Sequence, residues 1–363
     1  MNNRIQHIDI AKGITISLVA LFHTPLLVDA PGIQPLSLFR MPLFFFLSGI
    51  FFSWQTRPIP FIAKISDALL KPYFSFILLI IILLWLKSEC CPPYTNIFYG
   101  GGYSADFHWA TPPLWFLTHL YALYIFSYFV FRFTRLDSLT LYKQIAIIFV
   151  AFFTGVLFFK LFWPFKIHIT GQTYYGLPFS FDIILLSSSY FILGNLLKEK
   201  IINFKPNMKL LTLMLFTFLM ISKFTDAHID LIYRVYTNPI FATLGSISGI
   251  YIVIHFSFFI SKIKWLASIP LKLGESSLFI LIFHFVIQVK LFDFLSSKST
   301  SEAILLIFAV ITFAVSILIP LLIRNIVIRS DLLSLAFLPF KSNKLVQQFF
   351  AKRSSSKKNR VLH

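Results

Sequence analysis

The stretch Asp9-Ile10-Ala11-Lys12-Gly13-Ile14-Thr15-Ile16-Ser17-Leu18-Val19-Ala20-Leu21-Phe22-His23 decides how this chain is read. It lies in an apolar run from Ile10 to Leu27. On a helix, the step from Lys12 to His23 is ~3.06 turns, so the two lie on one face, ~20° apart and ~16 Å along the axis. Asp9 sits a turn before Lys12, near the same stripe. Each ionisable group inside a membrane span costs ~2.5–3.5 kcal/mol on insertion scales, so such groups mark pathways or active sites. A polar track through most of a membrane helix points to chemistry linking the two sides.

Working outward, the composition is that of a membrane protein. Hydrophobic residues make up 57% of the 363 and charged residues 13%, against about 25% charged in a soluble domain. Apolar runs near 8–27, 37–54, 72–86, 114–133, 144–162, 179–197, 210–224, 239–260, 274–291 and 303–323 predict about ten transmembrane helices. The runs are too long for strands and rarely alternate, which disfavours a barrel. The expected fold is therefore all-α, a polytopic integral membrane helix bundle. Of the 32 basic residues, only Arg40, Lys87, Lys160, Lys166, Lys223, Arg234, Lys290 and Lys298 fall on the opposite side from the termini. By the positive-inside rule both termini are cytoplasmic.

The net charge of +18 does not indicate a nucleic-acid partner, because the basic residues are spread over successive loops and not gathered on one surface. The expected division is a membrane domain over 1–330 and a basic cytoplasmic tail over 331–363. Its stretch Lys352 to Arg360 is either a topological anchor or a segment lying against anionic membrane lipid. Val28-Asp29-Ala30 imitates a leader cleavage site, but Pro31 and the length of the apolar run argue for a retained first span. Cys90 and Cys91 are neighbours, which ordinary disulfide geometry disfavours, and no Cys/His set has metal-ligand spacing, so no metal is expected. No soluble domain is expected, since the longest connections, 87–113 and 163–178, are short and aromatic.

His23 belongs toward the far end of a helix that begins inside. The next span opens with Leu38-Phe39-Arg40-Met41-Pro42 and continues through Phe46-Leu47-Ser48-Gly49, so Arg40 enters at the same depth. A histidine beside a guanidinium can be held neutral, which suits a general base; alternatively Arg40 is an interfacial anchor. Lys12 is either a handle for donor phosphates or an inside anchor paired with Asp9. Ser277 and His284 share a face of the ninth span. His119 and His255 read as packing residues, Asp182 as a partner for an outer cation or an interfacial residue, and Trp115 as part of an aromatic belt. Phosphate-cradling glycine loops and nucleophile-elbow serines do not occur. Residue types alone leave a carrier and a membrane enzyme both open.

Taken in order, these pieces resemble acyltransferase family 3 over nearly the whole chain. The carriers are Arg4-x4-Asp9-x2-Lys12-Gly13-x9-His23, Phe39-Arg40-Met41-Pro42 to Gly49, Lys64-x6-Lys71-Pro72-Tyr73, Leu114-Trp115-Phe116-Leu117, Tyr190 to Asn195, and Gly274-Glu275-Ser276-Ser277 to His284. The Asp-Ile-Ala-Lys-Gly opening is most similar to the fucose 4-O-acetylase-like branch. Lysine stands at 12 where many members have arginine, and the chain lacks the extracytoplasmic hydrolase-like domain that some members carry.

The resemblance implies an O-acetyltransferase of a bacterial plasma (inner) membrane. Its donor would be acetyl-CoA and its acceptor a hydroxyl of a surface polysaccharide, O-antigen-type or lipid-linked sugar, with polysaccharide-assembly proteins among its partners. It also implies roles. His23 is the base or a transient acyl carrier, and Arg40 stabilises the oxyanion or orients His23. Lys12, Lys64 and Lys71 hold donor phosphates. Asp9, Ser48, Trp115, Ser277 and His284 line the substrate cavity. The competing reading is a transporter that exports a glycan or small acid without chemistry, for which paired broken helices would be the mark.

Overall fold

The computed structural model describes residues 5–87, 94–100, 103–104, 112–162, 166–169 and 171–343. Arg4, Cys90, Cys91 and the tail over 344–363 lie outside the described residues. In chain order the helices are α1 (Gln6–Phe22), α2 (Ser37–Ile50), α3 (Pro58–Ile65), α4 (Lys71–Leu86), α5 (Tyr94–Tyr99), α6 (Trp115–Thr134), α7 (Leu141–Phe162) and α8 (Ile184–Leu196). Next come α9 (Lys198–Ile202), α10 (Met208–Phe224), α11 (Pro239–Lys262), α12 (Lys264–Glu275), α13 (Ser277–Ser296), α14 (Glu302–Arg329) and α15 (Asp331–Phe337). The small sheets are β1 (Tyr103–Ser104), β2 (Lys166–Ile169) and β3 (Gln172–Tyr175), ordered β1-β3-β2, and the antiparallel hairpin β4 (Ile229–Asp230) with β5 (Val235–Tyr236).

The chain is all-α in its substance. Among the described residues, seven helical segments are long and apolar enough to cross a membrane: Pro58–Leu86, Pro112–Thr134, Leu141–Phe159, Pro178–Leu196, Pro239–Ser261, Ser277–Ser296 and Glu302–Arg329. The other three predicted spans fall on α1, α2 and α10, which have 17, 14 and 17 residues. Sequence sets α1's end. Pro25 has no N–H to offer the carbonyl of Leu21 and disfavours helical geometry at Thr24, so the helix stops at Phe22 and His23 becomes its C-cap. The span predicted from 72 begins instead at Pro58, because a π-turn over Ser66–Leu70 carries the helix through Lys71-Pro72.

Proline inside α2 has a visible compensation. Pro42 leaves the carbonyl of Leu38 without its helical donor, and the hydroxyl of Ser246 on α11 donates to it at 2.5 Å. Elsewhere the short motifs act through their glycines. A Cβ at Gly13 would stand 2.1 Å from the carbonyl oxygen of Pro270, and one at Gly274 would stand 2.0 Å from that of Asp9. Gly49 and Gly194 make a matching pair, with the carbonyls of Phe191 and Phe46 at 1.9 and 2.0 Å. Helices α1 and α12, and helices α2 and α8, therefore cross backbone to backbone, as small residues permit in membrane bundles. Asn195 locks the second crossing by donating to the carbonyls of Gly49 and Phe52.

α15 packs on α4, where Ser75 donates to the carbonyl of Ala336 and Lys71 to that of Leu338. Asn343, the last described residue, donates from its amide to Ser334 and to the carbonyl of Asp331.

Candidate active site

Two cavities lie along α1, one near each end. The larger, ≈ 420 Å³, lies at the His23 end; its walls include His23, Arg40, Trp115, His228, Asp230 and Tyr233. That volume is in the range of small-molecule sites. The smaller, ≈ 170 Å³, is at the Lys12 end and is lined by Lys12, Phe44, Leu47, Ser48, Gly274 and Ser277.

His23 is held from three sides. Gln288 on α13 donates from Nε2 to the carbonyl of Ala20 and to Thr24, and the same nitrogen reaches Ser316 on α14. That carbonyl also accepts from the His23 N–H and from the Thr24 hydroxyl, so the turn carrying His23 is tied both to itself and to α13. The ring of Phe285 meets the imidazole edge-on at 5.2 Å between centroids. The ring of His284, fully buried, lies 5.4 Å away. Nδ1 of His284 is 2.7 Å from the carbonyl oxygen of Ile280 and 3.1 Å from that of Leu281. Carbonyls only accept, so Nδ1 carries hydrogen and Nε2 of the neutral ring is a lone pair. That Nε2 has no hydrogen-bond partner among the described residues.

Arg40 faces the same cavity and pairs within its wall. Its guanidinium sits over the ring of Phe22, 4.0 Å from the centroid, and donates to Asp230 at 3.4 Å. Its buried Nε has no partner among the described residues. Asp230 is fixed by its own turn, since its other oxygen accepts from the N–H groups of Ile232 and Tyr233. His228, next to it, is 3.0 Å from the hydroxyl of Ser37. Burial holds His228 below the ordinary histidine value of 6.5, with Asp230 opposing and Arg40 reinforcing.

The hairpin that carries these groups is anchored from below. Arg234 and Asp182 form a two-point ion pair at 2.8 and 2.9 Å, with both side chains fully buried. A Cβ at Gly176, where φ is +78°, would stand 2.9 Å from each of these partners, so only glycine fits beneath the pair.

At the other end, Lys12 pairs with Asp9 at 3.3 Å and lies over the ring of Phe51. The other two basic candidates do not join it. Lys64 is exposed on α3. Lys71 is engaged by Asp67 at 2.6 Å, by the carbonyl of Leu338 and by the face of Phe340, which makes it a clamp for the segment after α15.

The family model described as an acyltransferase domain, the third acyl-transferase family, matches residues 5–324. This chain belongs to acyltransferase family 3. No curated protein and no solved structure gives a significant match. The acyltransferase is thus a multi-pass membrane enzyme that uses an acyl donor.

In the acyltransferase, His23, Arg40 and Trp115 are brought to one cavity, and Lys12, Ser48 and Ser277 to the other. His284 stands beside His23 and is absent from the larger cavity's lining. Asp182 ties loops together and is likewise absent from that lining. His119 is a packing residue whose Nδ1 donates to the carbonyl of Phe179, leaving Nε2 to meet the hydroxyl of Ser187. Sequence reasoning missed Asp230, His228 and Tyr233. The available signal was an acid, a histidine and an arginine in the short loop His228-Ile229-Asp230-Leu231-Ile232-Tyr233-Arg234, which joins two apolar runs.

Proposed function

We propose that the acyltransferase moves an acetyl group from cytoplasmic acetyl-CoA to a hydroxyl of an extracytoplasmic glycan in a bacterial plasma membrane. Ten helices, the short α1, α2 and α10 included, would cross that membrane, with both termini cytoplasmic. One observation carries the reading. A single helix bears His23 in the wall of one cavity and Lys12 in the wall of another, ~16 Å apart along its axis. An enzyme drawing its donor from one side and its acceptor from the other needs this spacing.

In the reaction, the acceptor oxygen attacks the thioester carbonyl while His23 takes its proton. The carbon–sulfur bond then breaks, and the departing thiolate recovers the proton from His23. Arg40, parked on Phe22 and Asp230 with Nε unpaired, supplies positive charge where the tetrahedral oxyanion forms. His284 stands beside the His23 ring with its Nε2 lone pair unused; by accepting one N–H of that ring it leaves the other nitrogen free as the base. Lys12 holds donor phosphate, while Lys64 and Lys71 draw no support from their surroundings. Aromatic walls at Trp115, Phe116 and Tyr233, beside Asp230 and Gln34, suit a sugar ring and its hydroxyls. The opening motif favours the fucose 4-O-acetylase-like branch, with polysaccharide-assembly proteins as neighbours.

Mass spectrometry of surface glycans tests this in cells carrying the native chain, no chain, or His23→Ala. The expected result is an increment of one acetyl group with the native chain alone. Normal acetylation with His23→Ala at equal membrane abundance would overturn it. No increment in the native host would favour transport without chemistry.

A further inference from the structure

The two cavities have one residue in common, Phe44. We propose that its ring is the partition between the donor and acceptor sides, and that it sets the length of acyl group that can pass. The inference rests on the reading of function above and deepens it.

Three observations converge on this side chain. Arg40, Phe44 and Ser48 are spaced by four on α2, so they form one stripe with steps of ~6 Å. Arg40 lies on the larger cavity, Ser48 on the smaller, and Phe44 between them on both. Its neighbours Phe45 and Phe46 are sealed in the core at 0% and 2% exposure, whereas Phe44 is only half-buried. Of the three consecutive phenylalanines, Phe44 is therefore the one facing open space. Its ring meets Phe116, a wall of the larger cavity, at 4.7 Å and 70°. An aromatic edge contact of this kind is strong enough to hold a closed rotamer and weak enough to be displaced by a bound ligand.

A partition at this point answers a physical need. A track of Asp9, Lys12, His23 and Arg40 through an apolar bundle would conduct water and protons if it were continuous. One ring interrupts it. An acyl group carried up from the Lys12 end must turn that ring aside, and the space the ring vacates limits how long an acyl chain can pass.

Two readouts test the proposal. In a Cys90→Ser, Cys91→Ser background, Ser277→Cys is probed with a membrane-impermeant thiol reagent applied to each face of sealed vesicles. With Phe44 present, labelling is expected from the Lys12 face alone; with Phe44→Ala, from both faces. Labelling from both faces with Phe44 present, or no gain with Phe44→Ala, would overturn the partition.

Competition between acetyl-CoA and butyryl-CoA supplies the second readout. Phe44→Ala is expected to raise the butyryl-to-acetyl transfer ratio about tenfold, the lower end of what one or two methylenes command in a pocket, with Phe44→Leu between. An unchanged ratio in both variants would overturn the size limit. Absence of any transfer by the native chain would sink the reading of function, while the labelling experiment still decides the partition.

Discussion

At the scale of single residues, Arg40 shows how the acyltransferase holds a charge beside its cavity. Arg40 gives one N–H to Asp230 and lays its planar face on Phe22, and an ammonium has no such face. Arg40→Lys should therefore lower kcat about 10²-fold or more, the usual cost of losing one oxyanion donor, while leaving the KM for acetyl-CoA near its native value. Free thiol release from the donor measures both. His228 supplies a pH dependence. Burial lowers its pKa in the fold below the 6.5 of the unfolded chain, so the unfolded state takes up protons first as acid is added. Stability is full above 6.5 and is lost as pH falls from there toward the folded value. Thermal unfolding in detergent between pH 7.5 and 5 should show this fall in the native protein and a smaller one in His228→Gln. His23 and Arg40 were legible because each sits at a readable offset from an apolar run. Asp230 was not: it arrives from a hairpin 190 positions later in the chain, and no periodicity announces which loop will fold over a cavity.

The elements explain why the motifs read as they do. Gly13 and Gly274, and Gly49 and Gly194, are contact points between helix backbones. In an exposed helix Gly→Ala gains about 1 kcal/mol in propensity. At Gly274 the new methyl would meet the carbonyl of Asp9 at 2.0 Å, which is backbone and cannot step aside. Gly274→Ala should thus be destabilising by about 1–3 kcal/mol, as overpacking commonly is, and should weaken Lys12's contribution to donor binding through the shifted α1. Detergent melting curves and the KM for the donor check the two effects. Spans were legible from apolar length. Helix ends were less so, since the run to Leu27 hid the break that Pro25 imposes at Phe22. Pro72 suggested a helix start at a place where a π-turn carries the helix through.

At the scale of the whole molecule, α1 and α2 are short, at 17 and 14 residues. Each lends residues to both cavities. The larger one is roofed by the β4–β5 hairpin, whose position depends on Arg234 and Asp182. A fully buried pair of this kind adds little net stability over apolar residues of the same shape, because desolvation offsets attraction. Breaking it leaves a bare charge in the interior, at a cost of about 3–5 kcal/mol. Asp182→Leu should accordingly unfold the outer end and abolish activity, even though Asp182 does not line the cavity. The double variant Asp182→Leu, Arg234→Leu should recover most of the stability without recovering the activity. Two leucines can fill the space, but they cannot hold the hairpin in the register that sets Asp230 against Arg40. Melting temperature and glycan acetylation, measured together on the single and double variants, separate the two roles. Recovery of both in the double variant would mean that the pair only fills volume.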